Sequence, residues 1–263
     1  MKIKRNKILI YRDYGCANVY PLYRSLNDYF SPFGYKLEFT DAQSIINESV
    51  LDSSVFAFFM PGGAGIPYEM KLKGKGNDKI RSYVTKGGFY FGICAGAYYA
   101  CKHTIFEHDI PELCILSDSG LDLINGSAIG TLHSELNIKP YSASIESSTI
   151  AKVCYNDSKI HYAYYSGGPY FDISQDSAAN ILAEYDFETK KLPAILHKNY
   201  GTGSVIISGI HYEYKASDLM QSIFKSHPEF DSYKKLAKNL SDVECYRQSL
   251  FNKIMSNLKQ KDR

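Results

Sequence analysis

The sequence predicts an α/β domain with a mostly parallel sheet, helices on both faces and a helical C-terminal extension. Three observations carry that expectation. Short apolar runs alternate with segments of helical period from Lys7 to Lys102. Two of the apolar runs stop abruptly at glycine-rich turns, Pro61-Gly62-Gly63 and Cys94-Ala95-Gly96. Beyond Tyr214 the pattern is helical with polar, basic ends. A strand-helix-strand alternation of this kind closes into parallel pairs through right-handed crossovers, which lays helices on both faces of the sheet.

Taken in order, Lys7 to Tyr11 is a strand. Val19 to Phe30 has apolar residues at helical spacing with Pro21 near its start. Lys36 to Phe39 is a second strand, and Asp41 is placed to cap a helix over Ala42 to Asn47. Val55 to Met60 is an uninterrupted apolar run, the signature of a strand buried on both faces. Asn77 to Thr85 is helical and ends before Gly87-Gly88. Phe89 to Ile93 is another buried strand, and Ala95 to Lys102, rich in small and aromatic residues, is a helix packed close on the sheet. The second half is richer in strands: Ser142 to Ser147, Ala151 to Cys154, His161 to Tyr165, Asn180 to Tyr185, Ala194 to Lys198 and Ser204 to Ser208, separated by Asn156-Asp157, Gly167-Gly168-Pro169 and Gly201-Thr202-Gly203. Residues 1–215 are expected to form the domain. Residues 216–263 are expected to be a helical extension on it, with Leu250, Phe251, Ile254, Met255 and Leu258 at helical spacing and turned toward the core.

Composition narrows the function classes. A chain of 263 residues with 44% hydrophobic content has ample material for a large core. A formal charge of +2 argues against a dedicated nucleic-acid binder, and the basic run Lys71-Leu72-Lys73-Gly74-Lys75 is expected to be a solvated loop. The six cysteines include no CxxC pair, so zinc knuckles and a disulfide scaffold are not expected. The apolar run near the start ends at Arg12 and is too short for a signal peptide. No stretch approaches the ~20 apolar residues that span a bilayer. A cytoplasmic protein with free thiols, no membrane association and no cofactor is the expectation. The 23 tyrosines fit either amphipathic packing at strand ends or an aromatic-lined pocket.

Three segments carry chemistry. In Gly92-Ile93-Cys94-Ala95-Gly96 a strand enters and a helix leaves, so Cys94 sits on a sharp strained turn with its side chain exposed and small neighbours around it. The following helix N-terminus favours thiolate, and amides at the turn can face a developing oxyanion. Pro61-Gly62-Gly63 follows a buried strand and can supply a second amide at the carboxyl ends of the strands, where open α/β sheets bind ligands. Ser208-Gly209-Ile210-His211-Tyr212-Glu213 follows the strand Ser204 to Ser208. His211 and Glu213, two positions apart in extended chain, point the same way, so the carboxylate can orient the ring while the ring faces the thiol. The remaining histidines are read as core or surface residues, with no metal site.

These segments, in this order, resemble the class I glutamine amidotransferase-like superfamily. More narrowly they resemble the N-terminal domain of some eukaryotic biotin-protein ligases, which also occurs free-standing. The likeness rests on Met60-Pro61-Gly62-Gly63-Ala64, Gly74-Lys75-Gly76-Asn77, Gly87-Gly88, the stretch from Gly92 to Ala100, Tyr165-Ser166-Gly167-Gly168-Pro169 and Gly203 to Glu213. It implies a flavodoxin-like fold with Cys94 as nucleophile, His211 and Glu213 as its partners, and the amides of Gly63 and Ala95 as oxyanion hole. Gly62, Tyr98, Gly167 and Gly168 are the pocket candidates. The chain departs from the glutamine-hydrolysing pattern at two positions. Tyr98 stands where glutamine is usual four residues after the nucleophile, and Tyr212 where proline is usual between His and Glu.

Two readings stay open. The first is a cysteine-dependent amidase, hydrolase or amidotransferase-like protein acting on a carboxamide or acyl substrate, with a synthase or ligase partner in trans if ammonia is put to use. The second is a non-catalytic small-molecule-binding or regulatory module on the same scaffold. A stress-response or glyoxalase-type protein of similar architecture is disfavoured, because Asp13-Tyr14-Gly15 stands where such proteins place a glutamate. No Gly-Arg-rich adenylate loop occurs, so biotinylation by this chain alone is not expected.

Overall fold

The structure, a computed structural model, describes residues 5–17, 19–221 and 223–258; the other positions of the expected domain and extension lie outside the described residues. In chain order the first half comprises β1 (Lys7–Tyr11), α1 (Val19–Phe30), β2 (Lys36–Thr40), α2 (Ala42–Asn47), β3 (Val55–Met60), α3 (Gly65–Leu72), α4 (Lys75–Thr85), β4 (Phe89–Ile93) and α5 (Ala95–Ala100). Then come β5 (Cys101–Phe106), β6 (Ile115–Asp118), β7 (Ile124–Gly130), β8 (Ser148–Tyr155), β9 (Ile160–Ser166), β10 (Tyr170–Asp172), β11 (Ala179–Asp186), β12 (Lys191–Tyr200) and β13 (Gly203–Ser208). Three helices close the chain: α6 (Ala216–Gln221), α7 (Phe230–Asp242) and α8 (Glu244–Ser256).

A nine-stranded sheet runs in the order β2-β1-β3-β4-β13-β12-β11-β8-β9. From β2 to β13 all pairings are parallel, and from β13 onward all are antiparallel. The α/β expectation is met, with the later strands added as an antiparallel meander. Sequence explains the central position of β3 and β4: all of their residues are buried, and burying a phenylalanine such as Phe58 or Phe91 is worth roughly 1.5–3 kcal/mol. Strand alternation divides them between two cores. Phe59 and Phe91 stack at 4.5 Å between centroids on the face covered by α1 and α8. Phe58 and Tyr90 pack on the opposite face with Tyr68, Ile80 and Val84. Leu250, Phe251, Ile254, Met255 and Leu258 all lie in the first of these cores.

Three expectations are corrected. The helix expected over Ala95 to Lys102 ends at Ala100, because Cys101 turns extended (φ −81°, ψ 152°) and opens β5. That strand belongs to a second sheet, β10-β7-β5-β6, which sequence patterning does not reveal. The strand expected over Ser142 to Ser147 is a loop ending in a 3₁₀ turn. Its serines bond their own neighbourhood instead of a ladder: Ser144 accepts from Glu146 N, and Ser147 donates to Ser142 O and Ser144 O. The basic run is a loop only at Lys73 and Gly74. Lys71 lies in the last turn of α3 and Lys75 begins α4, and Lys71 Nζ reaches Asp13 at 3.6 Å. All six cysteines are free. Among the described residues no helix is long and apolar enough to cross a membrane.

Candidate active site

Sheet register brings the three segments together. Met60 pairs with Gly92 and Ser208 with Ile93, so β3, β4 and β13 end side by side and release Pro61, Cys94 and Gly209 at one edge. Cys94 N donates to Ser208 O at 2.8 Å and Gly96 N to Pro61 O at 3.1 Å, tying the turn to both neighbours. Close packing dictates the small residues: a Cβ on Gly92 would sit 2.4 Å from Gly96 O, and one on Gly96 only 2.2 Å from Met60 O.

Cys94 adopts φ 50°, ψ −109°, a conformation that disfavours L side chains and persists only where the surroundings enforce it. Its side chain is 7% exposed and faces a cavity of about 620 Å³. Sγ lies 3.5 Å from Ser166 O, a carbonyl that can accept from a thiol and offers nothing to a thiolate. The imidazole of His211 is the thiol's neighbour across Gly62. His211 is buried beneath the turn. Its N donates to Tyr164 O at 2.8 Å, and Tyr164 and Tyr214 flank the ring at 5.8 and 5.5 Å. Its Nδ1 meets Glu213 Oε1 at 2.7 Å, while Glu213 Oε2 is buried with no hydrogen-bond partner among the described residues. Burial opposes charging the ring. The adjacent Glu213 carboxylate, which accepts from the ring, and the neighbouring Cys94 outweigh it, pushing His211 up to about 10.

The backbone donors follow from local geometry. Gly63 bridges Cys16, but the exchanged bonds are Ala17 N to Gly62 O and Ala64 N to Gly15 O, so Gly63's own N–H points away from that bridge. Its φ of +139° and a Cβ position 2.0 Å from Gly15 O admit only glycine. Ala95 opens α5, where an N–H has no intrahelical acceptor. Of the pocket candidates, Tyr98 and Gly167 line the cavity. Gly62 lies behind it against the imidazole, and Gly168 is pressed on the chain at Gly209, where a Cβ would lie 1.8 Å from the carbonyl oxygen. Tyr98 spans the cavity floor and donates to Gly167 O at 3.2 Å. Tyr212 points the other way from its neighbours, fully buried beside Phe251, and its carbonyl accepts from Arg247 Nη1 at 2.7 Å.

Residues 6–262 match the family described as "Biotin-protein ligase, N terminal". The chain belongs to that family. An uncharacterized protein of Chlamydia muridarum is 28% identical over 264 residues, covering 96% of each chain. A biotin–protein ligase of Schizosaccharomyces pombe is 27% identical over 220 residues, which cover 80% of this chain and 33% of the yeast enzyme; the family domain thus corresponds to about a third of that relative. A glutamine amidotransferase from Thermotoga maritima shares the fold, with a TM-score of 0.61 over 97% of this chain and 99% of that one, at 14% identity.

The family motifs did not disclose two polar clusters. Buried Glu107 accepts from Thr131 Oγ1 at 2.8 Å and Tyr141 N at 2.7 Å through one oxygen, and its other oxygen lies 3.1 Å from His133 Nδ1. With Asp109 this makes the group among the described residues whose ligand atoms, within 4.8 Å of one another, suit a cation. Asp109, however, faces His133 Nε2 at 3.4 Å, so the carboxylates occupy opposite edges of the ring and one ion can engage only one of its nitrogens. The second cluster is Arg247 with Glu244 and the Tyr212 carbonyl. Residues 26 or more positions apart, as Glu107 and His133 are, leave no local pattern to find.

Proposed function

We propose that this protein is a cysteine-dependent acyl hydrolase of the amidase type. The observation that carries the reading is Cys94, held at positive φ and facing a cavity, beside a buried imidazole whose far edge is fixed by Glu213 at 2.7 Å. The reaction opens with transfer of the Cys94 proton to the His211 ring, which Glu213 raises to about 10 against the opposition of burial. The sulfur attacks the carbonyl carbon, a C–S bond forms, and the carbonyl electron pair moves to oxygen, where the N–H groups of Gly63 and Ala95 receive it. On collapse the C–N bond breaks and the amine leaves with the proton of His211. Water then attacks the thioester, giving up a proton to the neutral ring, and the C–S bond breaks to release the acid. An acceptor for the amine, if one is used, would be supplied by a partner in trans.

The test is labelling of Cys94 by a glutamine-like diazoketone and by a small panel of activated amides. Cys94→Ala is expected to abolish labelling, and His211→Ala to reduce it by about 10²-fold or more. Labelling that persists at full rate in the folded Cys94→Ala protein would remove the proposal. Turnover that is absent while ligand binding persists would favour the binding-module reading, which the engagement of Tyr98 with Gly167 O also supports.

A further inference from the structure

Resting on the hydrolase reading above, we infer that the acyl group delivered to Cys94 belongs to a neutral or cationic compound with an apolar body, and not to a free amino acid carrying an α-carboxylate. The cavity volume of about 620 Å³ falls in the ~300–1,000 Å³ range of small-molecule sites. Its mouth displays large apolar side chains to solvent: Ile66, Met70 and Leu116 are 50%, 75% and 69% exposed. Such side chains, clustered around a concavity that ends at a nucleophile, form the kind of exposed apolar patch that marks a binding surface. Phe106 and Tyr141, packed edge to face at 5.4 Å, continue the apolar wall inward toward Tyr98.

The charges point the same way. The carboxyl groups of the wall are Glu69 and Asp118, and among the described residues the lining includes no lysine, arginine or histidine. A substrate carboxylate entering here would shed its hydration beside two carboxylates and find no cation to replace it. The tyrosine that stands in place of the usual glutamine does not compensate, because its hydroxyl proton is committed to Gly167 O. Asp118 is engaged by His103 Nδ1 at 2.6 Å, whereas among the described residues the hydrogen-bond partner of the Glu69 carboxylate is Gly120 N–H at 3.2 Å. Glu69, one turn into α3 from the slim Gly63-Ala64-Gly65 loop, is therefore the carboxylate best placed to meet an ammonium on the distal part of the substrate.

The experiment uses three N-benzylchloroacetamides on one skeleton, with hydrogen, carboxylate or aminomethyl at the para position. Each is reacted with the full chain, and modification of Cys94 is followed by peptide mass spectrometry, with rates normalised to glutathione. The neutral and ammonium compounds are expected to react at Cys94 about tenfold faster than the carboxylate. Glu69→Lys is expected to narrow that gap, and the shape-preserving Glu69→Gln to narrow it less. Equal normalised rates for the three compounds in a His211-dependent reaction would overturn the inference and leave the hydrolase reading standing. Failure of all three, and of iodoacetamide, to modify Cys94 faster than glutathione would end both.

Discussion

A methyl group on Gly62 would lie 2.8 Å from His211 Cε1 and 3.5 Å from Cys94 Cβ. The loop after β3 is thus the roof of the imidazole, and its lack of a side chain sets the distance between ring and thiol.

Gly62→Ala therefore tests the pair without touching either partner. The ring must shift by several tenths of an ångström at least, and small misplacements of catalytic groups cost about 10²-fold in rate. Alkylation of Cys94 is expected to slow by one to two orders of magnitude, while the melting temperature moves by only a few degrees. An unchanged rate would mean that the His211 contact does not govern thiol reactivity.

Glu213→Gln tests the electrostatics. His211 is raised from 6.5 to about 10, burial acting against and Glu213 for the charged ring. A raised value means that the folded chain holds this proton more tightly than the unfolded one. The contribution of the pair is thus fully present below pH about 6.5 and fades as pH rises through about 10. The stability difference between wild type and Glu213→Gln, from urea titrations, is expected to be largest in the acidic to neutral range and to shrink toward pH 10.5. A difference that grows with pH would reverse the assignment of the proton.

Glu107 organises the cavity mouth from behind. Removing a buried carboxylate that accepts from Thr131 Oγ1 and Tyr141 N leaves these two groups without that acceptor. Glu107→Ala is expected to cost about 3–5 kcal/mol, and Glu107→Gln less. Limited proteolysis should show the segment around Tyr141 opening before the rest of the chain, and an unaltered digestion pattern would count against that role.

How far these relationships could be foreseen depended on how local they were. Val19–Phe30, Ala42–Asn47, Val55–Met60 and Phe89–Ile93 were delimited to the residue, because a helical period, an Asp41 cap or an uninterrupted apolar run ends at a visible break. The meeting of Cys94 with His211 was legible because both follow the ends of parallel strands, which share one edge by topology. The second sheet was not. Its strands Ile115–Asp118 and Tyr170–Asp172 are short, and Ile124–Gly130 is interrupted by Gly126, so no period accumulates. Gly65 and Pro67 disguise α3 as loop, although a proline is tolerated in a first turn. Most tyrosines proved to be packing residues, Tyr11, Tyr90, Tyr165 and Tyr185 among them, while Tyr98, Tyr99 and Tyr141 line the cavity.

Arg247 joins the C-terminal helix to the site, and no pattern in its own segment announces it. Its guanidinium is fully buried, donates to the carbonyl of Tyr212 at 2.7 Å, and is held by Glu244 of the same helix. Tyr212 lies between His211 and Glu213, so this one bond fixes the backbone from which both site side chains diverge. Arg247→Lys keeps a charge but loses the planar fork, and Arg247→Met keeps bulk without a donor. Removing one partner of a buried charged network costs about 3–5 kcal/mol, so Arg247→Met is expected to lower stability by that order. If the bond positions the site, Arg247→Lys is expected to retain more stability yet still slow Cys94 alkylation by about tenfold or more, with a shifted pH profile as His211 and Glu213 lose register. Wild-type alkylation kinetics in a stably folded Arg247→Lys protein would show that α8 packs on the domain without governing the chemistry at its far edge.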